Sequence, residues 1–248
     1  MHAKYQDAAQ AIAKAESVIA VTGAGVSVES GIPDFRSTEG LWAKYPPEEY
    51  ATTESFHADP DKAWEMWYAL VDTLESALPN PGHLALAELE ALGRLKAVIT
   101  PNIDNLHAEA GNTCVIEYHG NASWMSCTSC FRGRPVDMMF REVGAPFCEC
   151  GGSMKPDVVL FGEDIPRDAQ LRAQMLAQSC NVLIVIGTSA QVYPANSLPE
   201  IAKNNGAFII ECNLEPTDFT GTVTDAFLQG PSGETLPELV CCVKQLIV

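Results

Sequence analysis

The chain has 248 residues, is 47% apolar, and carries 32 acidic against 15 basic side chains, a formal charge of −17. That length supports one domain with an inserted subdomain or two small domains, and the charge argues against direct nucleic-acid binding, because it repels phosphate backbones. No apolar run nears the roughly 18 residues of a bilayer span, residues 1–17 do not read as a signal peptide, and nine cysteines, an odd count, fit a reducing compartment better than a disulfide framework. The expectation is a soluble, cytoplasmic protein with no membrane partner. The acidic excess serves either solubility or the steering of lysine-rich partners.

Helical spacing over 3–16 leads into an apolar run at 18–21, and β-branched runs then alternate with amphipathic segments along most of the chain. Strands are predicted at 18–21, 97–100, 115–118, 158–161, 182–186, 207–211 and 226–228, and helices at 3–16, 83–92, 167–178, 197–204 and 236–247. Such alternation predicts a doubly wound, Rossmann-like α/β fold with a parallel sheet covered on both faces. Two stretches break it: 38–81, rich in aromatic residues, and 121–157, with four clustered cysteines. Each exceeds an ordinary βα loop. They are expected to form a smaller helical and metal-binding lobe, leaving 1–37, 82–120 and 158–248 as the larger one, with a ligand cleft between.

The first strand runs into 22–36, Thr-Gly-Ala-Gly-Val-Ser-Val-Glu-Ser-Gly-Ile-Pro-Asp-Phe-Arg. Two glycines after a buried strand either pack the turn tightly or let backbone N–H groups approach a pyrophosphate. Ser27, Asp34, Phe35 and Arg36 add a hydroxyl, a carboxylate, a ring and a guanidinium that packing does not require. After the strand at 97–100 comes Pro101-Asn102-Ile103-Asp104-Asn105-Leu106-His107, in which Asn102 and Asp104 project together from an extended strand end, or Asp104 or Asn105 caps the helix carrying Leu106. His119 ends the next strand, where a base with a pKa near working pH is well placed.

Cys127-x-x-Cys130 and Cys148-x-Cys150 are separated by 17 residues, with Gly151-Gly152 following. Two thiolate pairs on short knuckles close a tetrahedral Zn²⁺ site with no position left for water, so the metal is expected to be structural. A redox pair is a poor alternative, because two separated knuckles exceed what that chemistry needs.

In order and spacing these runs, together with Pro156-Asp157-Val158-Val159-Leu160-Phe161-Gly162-Glu163 and Gly187-Thr188-Ser189-Ala190-Gln191-Val192-Tyr193-Pro194-Ala195, resemble the sirtuins over nearly the whole chain. That family comprises NAD-dependent protein-lysine deacylases of the silent-information-regulator type. The resemblance implies NAD as co-substrate, bound by Gly23, Ala24, Gly25, Ser27, Asp34, Phe35, Arg36, Asn102, Ile103, Asp104, Gly187, Thr188, Ser189, Asn213 and Ser232. It implies His119 as general base, with Asn102 and Asp104 beside it. An acyl-lysine peptide would lie as an added strand against Val159, Phe161, Gly162, Glu163, Val192 and Tyr193. Pro101 stands where the family usually has Gln.

Some members read acidic acyl chains with a Tyr-x-x-Arg pair, at whose places this chain has Trp67 and Leu70. Acetyl or a longer apolar acyl is therefore expected, since an acidic tail would be buried without a cation. Mono-ADP-ribosyl transfer or NAD glycohydrolysis could use the same pocket, and a zinc-ribbon interaction module with an NAD-sensing domain would bind without turnover. A dehydrogenase would need a third glycine where Val28 stands.

Overall fold

The computed structural model describes residues 3–33, 40–191 and 193–247. Its strands are β1 (Val18–Thr22), β2 (Ala97–Thr100), β3 (Val115–Glu117), β4 (Gly120–Cys127), β5 (Gly133–Pro135), β6 (Met154–Val158), β7 (Val182–Ile186), β8 (Phe208–Asn213) and β9 (Ala226–Gln229). Six form a parallel sheet in the order β3-β2-β1-β7-β8-β9, and three form an antiparallel sheet, β5-β4-β6.

The large sheet is apolar on both faces because each of its central strands sends alternate side chains to opposite sides. From β1, Val18 and Ala20 pack with the helices Ala3–Lys14, Pro81–Ala91 and Ser232–Ile247. Ile19 and Val21 pack on the other face with Arg167–Ser179 and Ser197–Asn204. β1 lies between β2 and β7, so strand order reverses there and a crevice opens beyond the carboxyl ends of these two strands.

One predicted strand belongs elsewhere. The run 158–161 is not part of the parallel sheet: Val158 ends β6, antiparallel to β4, and Phe161 makes only an isolated bridge to Thr52. Its β-branched composition specifies extended chain, but composition does not say which sheet an extended segment joins. The last helix begins at Ser232, not 236, so Ser232 opens a helix instead of lying in a free turn.

Residues of the two long stretches share one core. Phe56, Trp64 and Met66 pack with Met125, Cys127 and Met154, and the Trp64 indole N–H donates to the Met154 carbonyl at 2.9 Å. The helix Pro60–Ser76, which carries Trp64, starts with Pro at its first position and with the Asp59 carboxylate accepting from Lys62 N–H at 3.1 Å. Entry into the antiparallel sheet passes through Gly120, at φ 80°, where a Cβ would stand 1.9 Å from the Asp157 carbonyl oxygen. Only glycine fits that crossing.

Candidate active site

The turns after β1 and β7 meet at the point where strand order reverses. Gly23 N–H donates to Ile186 O at 2.9 Å and Gly25 N–H to Gly187 O at 2.8 Å. A Cβ on Gly25 would lie 2.7 Å from Gly187 O and 2.8 Å from its Cα. The glycines therefore serve the contact between two backbones, and their own N–H groups are spent on it. Gly23, Ala24, Gly25, Gly187, Thr188 and Ser189 line an open cleft enclosing about 1610 Å³.

Asn102 and Ile103, just beyond β2, reach the same cleft, as does His119 beyond β3. The Asn102 amide donates to Gly23 O at 3.1 Å, which ties the β2 end to the glycine turn. Asp104 sits beside Asn102, whose amide donates to Ser27 Oγ at 3.3 Å, but of the two only Asn102 lines the cleft. Asp104 lies behind the cleft wall, with its carboxylate accepting from Ser27 Oγ at 2.6 Å and from Leu106 N–H at 3.0 Å. Ser27 is buried with it. The capping alternative is thus realised in part, since Asp104 closes the turn into the short helix Leu106–Glu109.

Deeper still, His107 Nε2 pairs with Thr22 Oγ1 at 3.0 Å, and its ring meets His83 with centroids 4.8 Å apart. Burial pushes His83 down to about 4 and His107 down to about 3, so both stay neutral at ordinary pH. Burial also lowers His119 from its usual value, opposed by a hydrogen bond to the Pro101 carbonyl. His119 is then a neutral base near neutral pH.

Asn213 and Ser232 line the far end of the cleft. The Asn213 amide donates to Thr188 O at 2.8 Å, whereas the Ser232 hydroxyl donates to the Glu29 carboxylate at 3.1 Å. Asp34, Phe35, Arg36 and Val192 lie outside the described residues. Lining side chains that sequence reasoning passed over include Glu29, Trp42 and Arg167. Glu29 sits inside the glycine run and could have been read there; Trp42 and Arg167 carried no spacing signal.

The sequence profile described as Sir2 family matches residues 23–194. The chain belongs to the Sir2 family. An NAD-dependent protein deacylase of Thermococcus kodakarensis is 46% identical over 248 residues, covering 97% of this chain and 96% of that protein. A Sir2 homologue solved as an NAD complex superposes with TM-score 0.92 at 43% identity, covering 98% of this chain and 95% of that one. Sir2Af2 bound to a myristoylated histone peptide matches with TM-score 0.82 at 37% identity, covering 99% and 98%.

In this Sir2 protein the four cysteines converge. The sulfur atoms of Cys127, Cys130, Cys148 and Cys150 all lie within 4.8 Å of one another, with Cys127 to Cys150 at 3.4 Å and Cys130 to Cys148 at 3.6 Å. Zn–S bonds of about 2.3 Å in a tetrahedron require sulfurs roughly 3.8 Å apart, so the set suits a closed structural zinc site. Backbone N–H groups of Cys130 and Ser129 draw the Cys127 thiol down to about 6, toward the thiolate a metal binds. The single residue between Cys148 and Cys150 is accommodated by a tight reversal, closed by the Phe147 to Ser153 bridge and Cys148 N–H to Gly152 O at 2.8 Å.

The rim of the Sir2 cleft is formed by Val159, Phe161, Gly162, Glu163 and Tyr193. Much of that backbone is already paired: Val159 N–H with His119 O, Phe161 N–H with Ala51 O, and Phe161 O with Thr53 N–H. The Glu163 carboxylate accepts from Leu160 N–H at 2.9 Å and from Lys155 at 3.0 Å. Among the described residues, the Val159 carbonyl and the Gly162 N–H have no partner. No helix of the described residues is long and apolar enough to cross a membrane.

Proposed function

We propose that this Sir2-family protein is an NAD-dependent protein-lysine deacylase that transfers the acyl group to ADP-ribose and releases nicotinamide. The observation that carries the reading is the convergence of His119, Asn102 and Ile103 with the interlocked glycine turns in one cleft at the strand-order reversal. The relatives' NAD-dependent deacylase activity and bound NAD support it.

NAD would lie across Gly23, Ala24, Gly25, Gly187, Thr188 and Ser189, with its adenosine end toward Asn213 and Ser232. Asn102 and Ile103 would hold the nicotinamide end, backed by Asp104 and Ser27, and Asp34, Phe35 and Arg36 would complete that end. The acyl carbonyl oxygen attacks the anomeric carbon as the bond to nicotinamide breaks. His119 takes the proton from a ribose hydroxyl, whose oxygen then attacks the acyl carbon. Hydrolysis releases free lysine and O-acyl-ADP-ribose.

The peptide would add as a strand, using the free Val159 carbonyl and Gly162 N–H on one side and the segment around Val192 and Tyr193 on the other, with Phe161 and Glu163 shaping the rim. Trp67 lines the cleft and Leu70 is buried beside it. With no cation at either place, acetyl or a longer apolar acyl is preferred to succinyl. The match to a Sir2 protein holding a myristoylated peptide supports this preference. Zinc would be held by the four cysteines as a structural ion, and the odd number of cysteines, nine, supports a cytoplasmic, reducing setting.

Mass spectrometry of products from NAD with acetylated, long-chain acylated and succinylated peptides tests the reading. Nicotinamide release should require the peptide and yield O-acyl-ADP-ribose; release without peptide would make the protein a glycohydrolase. Faster desuccinylation than deacetylation would overturn the acyl preference. His119→Ala should lower deacylation by at least ~10². In the wild type the acid limb of kcat/KM should fall below pH 6.5, because burial lowers His119.

A further inference from the structure

Strand β8 ends on the polar Asn213 and is otherwise apolar except for Glu211, whose side chain is fully buried. Its carboxylate accepts three hydroxyl hydrogen bonds: Thr217 at 2.6 Å on one oxygen, Thr220 at 2.7 Å and Thr224 at 2.6 Å on the other. All three threonines come from the single connection between β8 and β9. That connection is further knit by Thr217 N–H to Thr220 Oγ1 at 2.9 Å and Phe219 N–H to Thr217 Oγ1 at 3.2 Å. Its outer part, Leu214, Glu215, Pro216, Thr217 and Asp218, forms the cleft wall next to Asn213.

A buried carboxylate held by hydroxyls is a poor source of stability, since apolar residues of similar volume commonly do as well. What an apolar residue cannot do is fix three hydroxyls at once. A twelve-residue connection, 214–225, would otherwise sample many shapes. We infer that Glu211 is a positioning residue for the adenosine end of the dinucleotide: by gathering Thr217, Thr220 and Thr224 it sets the shape of the wall that meets the adenosine ribose beyond Asn213. It touches no reacting atom and acts through the threonines.

This rests on the dinucleotide orientation given under Proposed function. The readout is therefore chosen to work without turnover: ADP-ribose binding to the full chain by calorimetry, alongside the KM for NAD. E211Q keeps the volume but offers one fewer acceptor oxygen. It should weaken ADP-ribose binding about tenfold and raise the KM for NAD similarly, while kcat and the peptide KM stay within about twofold. T220V removes one hydroxyl at constant shape and should weaken binding about threefold, and T220S should restore it. A purely structural role predicts a lower Tm with ADP-ribose affinity unchanged, which would overturn the inference, as would equal affinity of T220V and T220S. Wild-type protein that binds no ADP-ribose would overturn both the inference and the dinucleotide site. Wild-type protein that binds ADP-ribose but leaves acyl-lysine peptides intact would overturn the deacylase reading alone.

Discussion

The two cores of this molecule are built on different principles. The parallel sheet is closed by side chains alone: Val18, Ala20, Ile184 and Ile210 on one face, Ile19, Val21, Leu183 and Ile209 on the other, all essentially inaccessible to solvent. The antiparallel sheet is narrow, and only one side of it meets the aromatic helix Pro60–Ser76, which carries Trp64 and Met66, and Phe56 from the helix Thr53–Ala58. One of its core residues, Cys127, is also a member of the four-thiol cluster. A strand buried on both faces gains enough from burial to hold itself, whereas short antiparallel strands with one covered face need a further restraint. The metal site supplies it.

Removing that restraint is the largest perturbation available. Structural zinc bound by thiolates contributes on the order of 10 kcal/mol to folding. Stripping the ion with a strong chelator, or Cys148→Ser, should abolish amide protection in β4 to β6 and loosen Pro60–Ser76, while β1, β7 and β8 stay protected in hydrogen exchange. Turnover should fall by more than ~10², because His119 and Val159 lie where the two regions join. Loss of protection throughout the chain would erase the contrast between the cores. Metal analysis giving far less than one zinc per chain would remove its cause.

The parallel-sheet side has its own weak point, the paired imidazoles His83 and His107. Their folded values, about 4 and about 3, lie below the unfolded 6.5. Between those limits the unfolded chain binds more protons, so stability is complete above about pH 6.5 and is lost as the pH falls. At pH 5 each histidine should cost about 2 kcal/mol, lowering Tm by roughly 10 °C in total for a chain of this length. Relief of repulsion among the excess carboxylates acts in the opposite direction over the same range. The decisive measurement is therefore the difference between wild type and H83Q/H107Q. The variant should show a flatter decline between pH 7.5 and 5, and parallel curves would detach the histidines from the effect.

The contrast between the cores also decides what could be read from the sequence. Strands at 18–21, 97–100 and 182–186 were plain, because a strand buried on both faces is an unbroken β-branched run. The run Val158-Val159-Leu160-Phe161 has the same composition but lies on the cleft rim, where Leu160 is buried and Phe161 is half exposed. The cysteine spacing identified the metal cluster without help from the fold. Asn102 and His119 were placed by motif, but nothing local revealed that Asp104 turns inward to Ser27, a partner 77 positions away. Glu211 was visible as the one charge in an apolar strand, yet its meaning depended on threonines brought back by a folded loop.

The smallest test addresses the seam between the aromatic helix and the antiparallel sheet. Trp64 is fully buried and its indole N–H donates to the Met154 carbonyl at 2.9 Å, directly linking the helix to β6. Trp64→Phe keeps a ring in place but removes the donor and leaves a buried carbonyl unpaired, at about 1–3 kcal/mol. For a chain of this size that corresponds to a Tm lower by about 3–10 °C. If the metal is the main restraint on this core, the ion should mask part of the loss. Local exchange in β6 should then rise only a little in zinc-loaded Trp64→Phe and much more after chelation. An equal effect with and without zinc would mean that helix packing and metal act independently, and the small core would resemble the large one more closely than its composition implies.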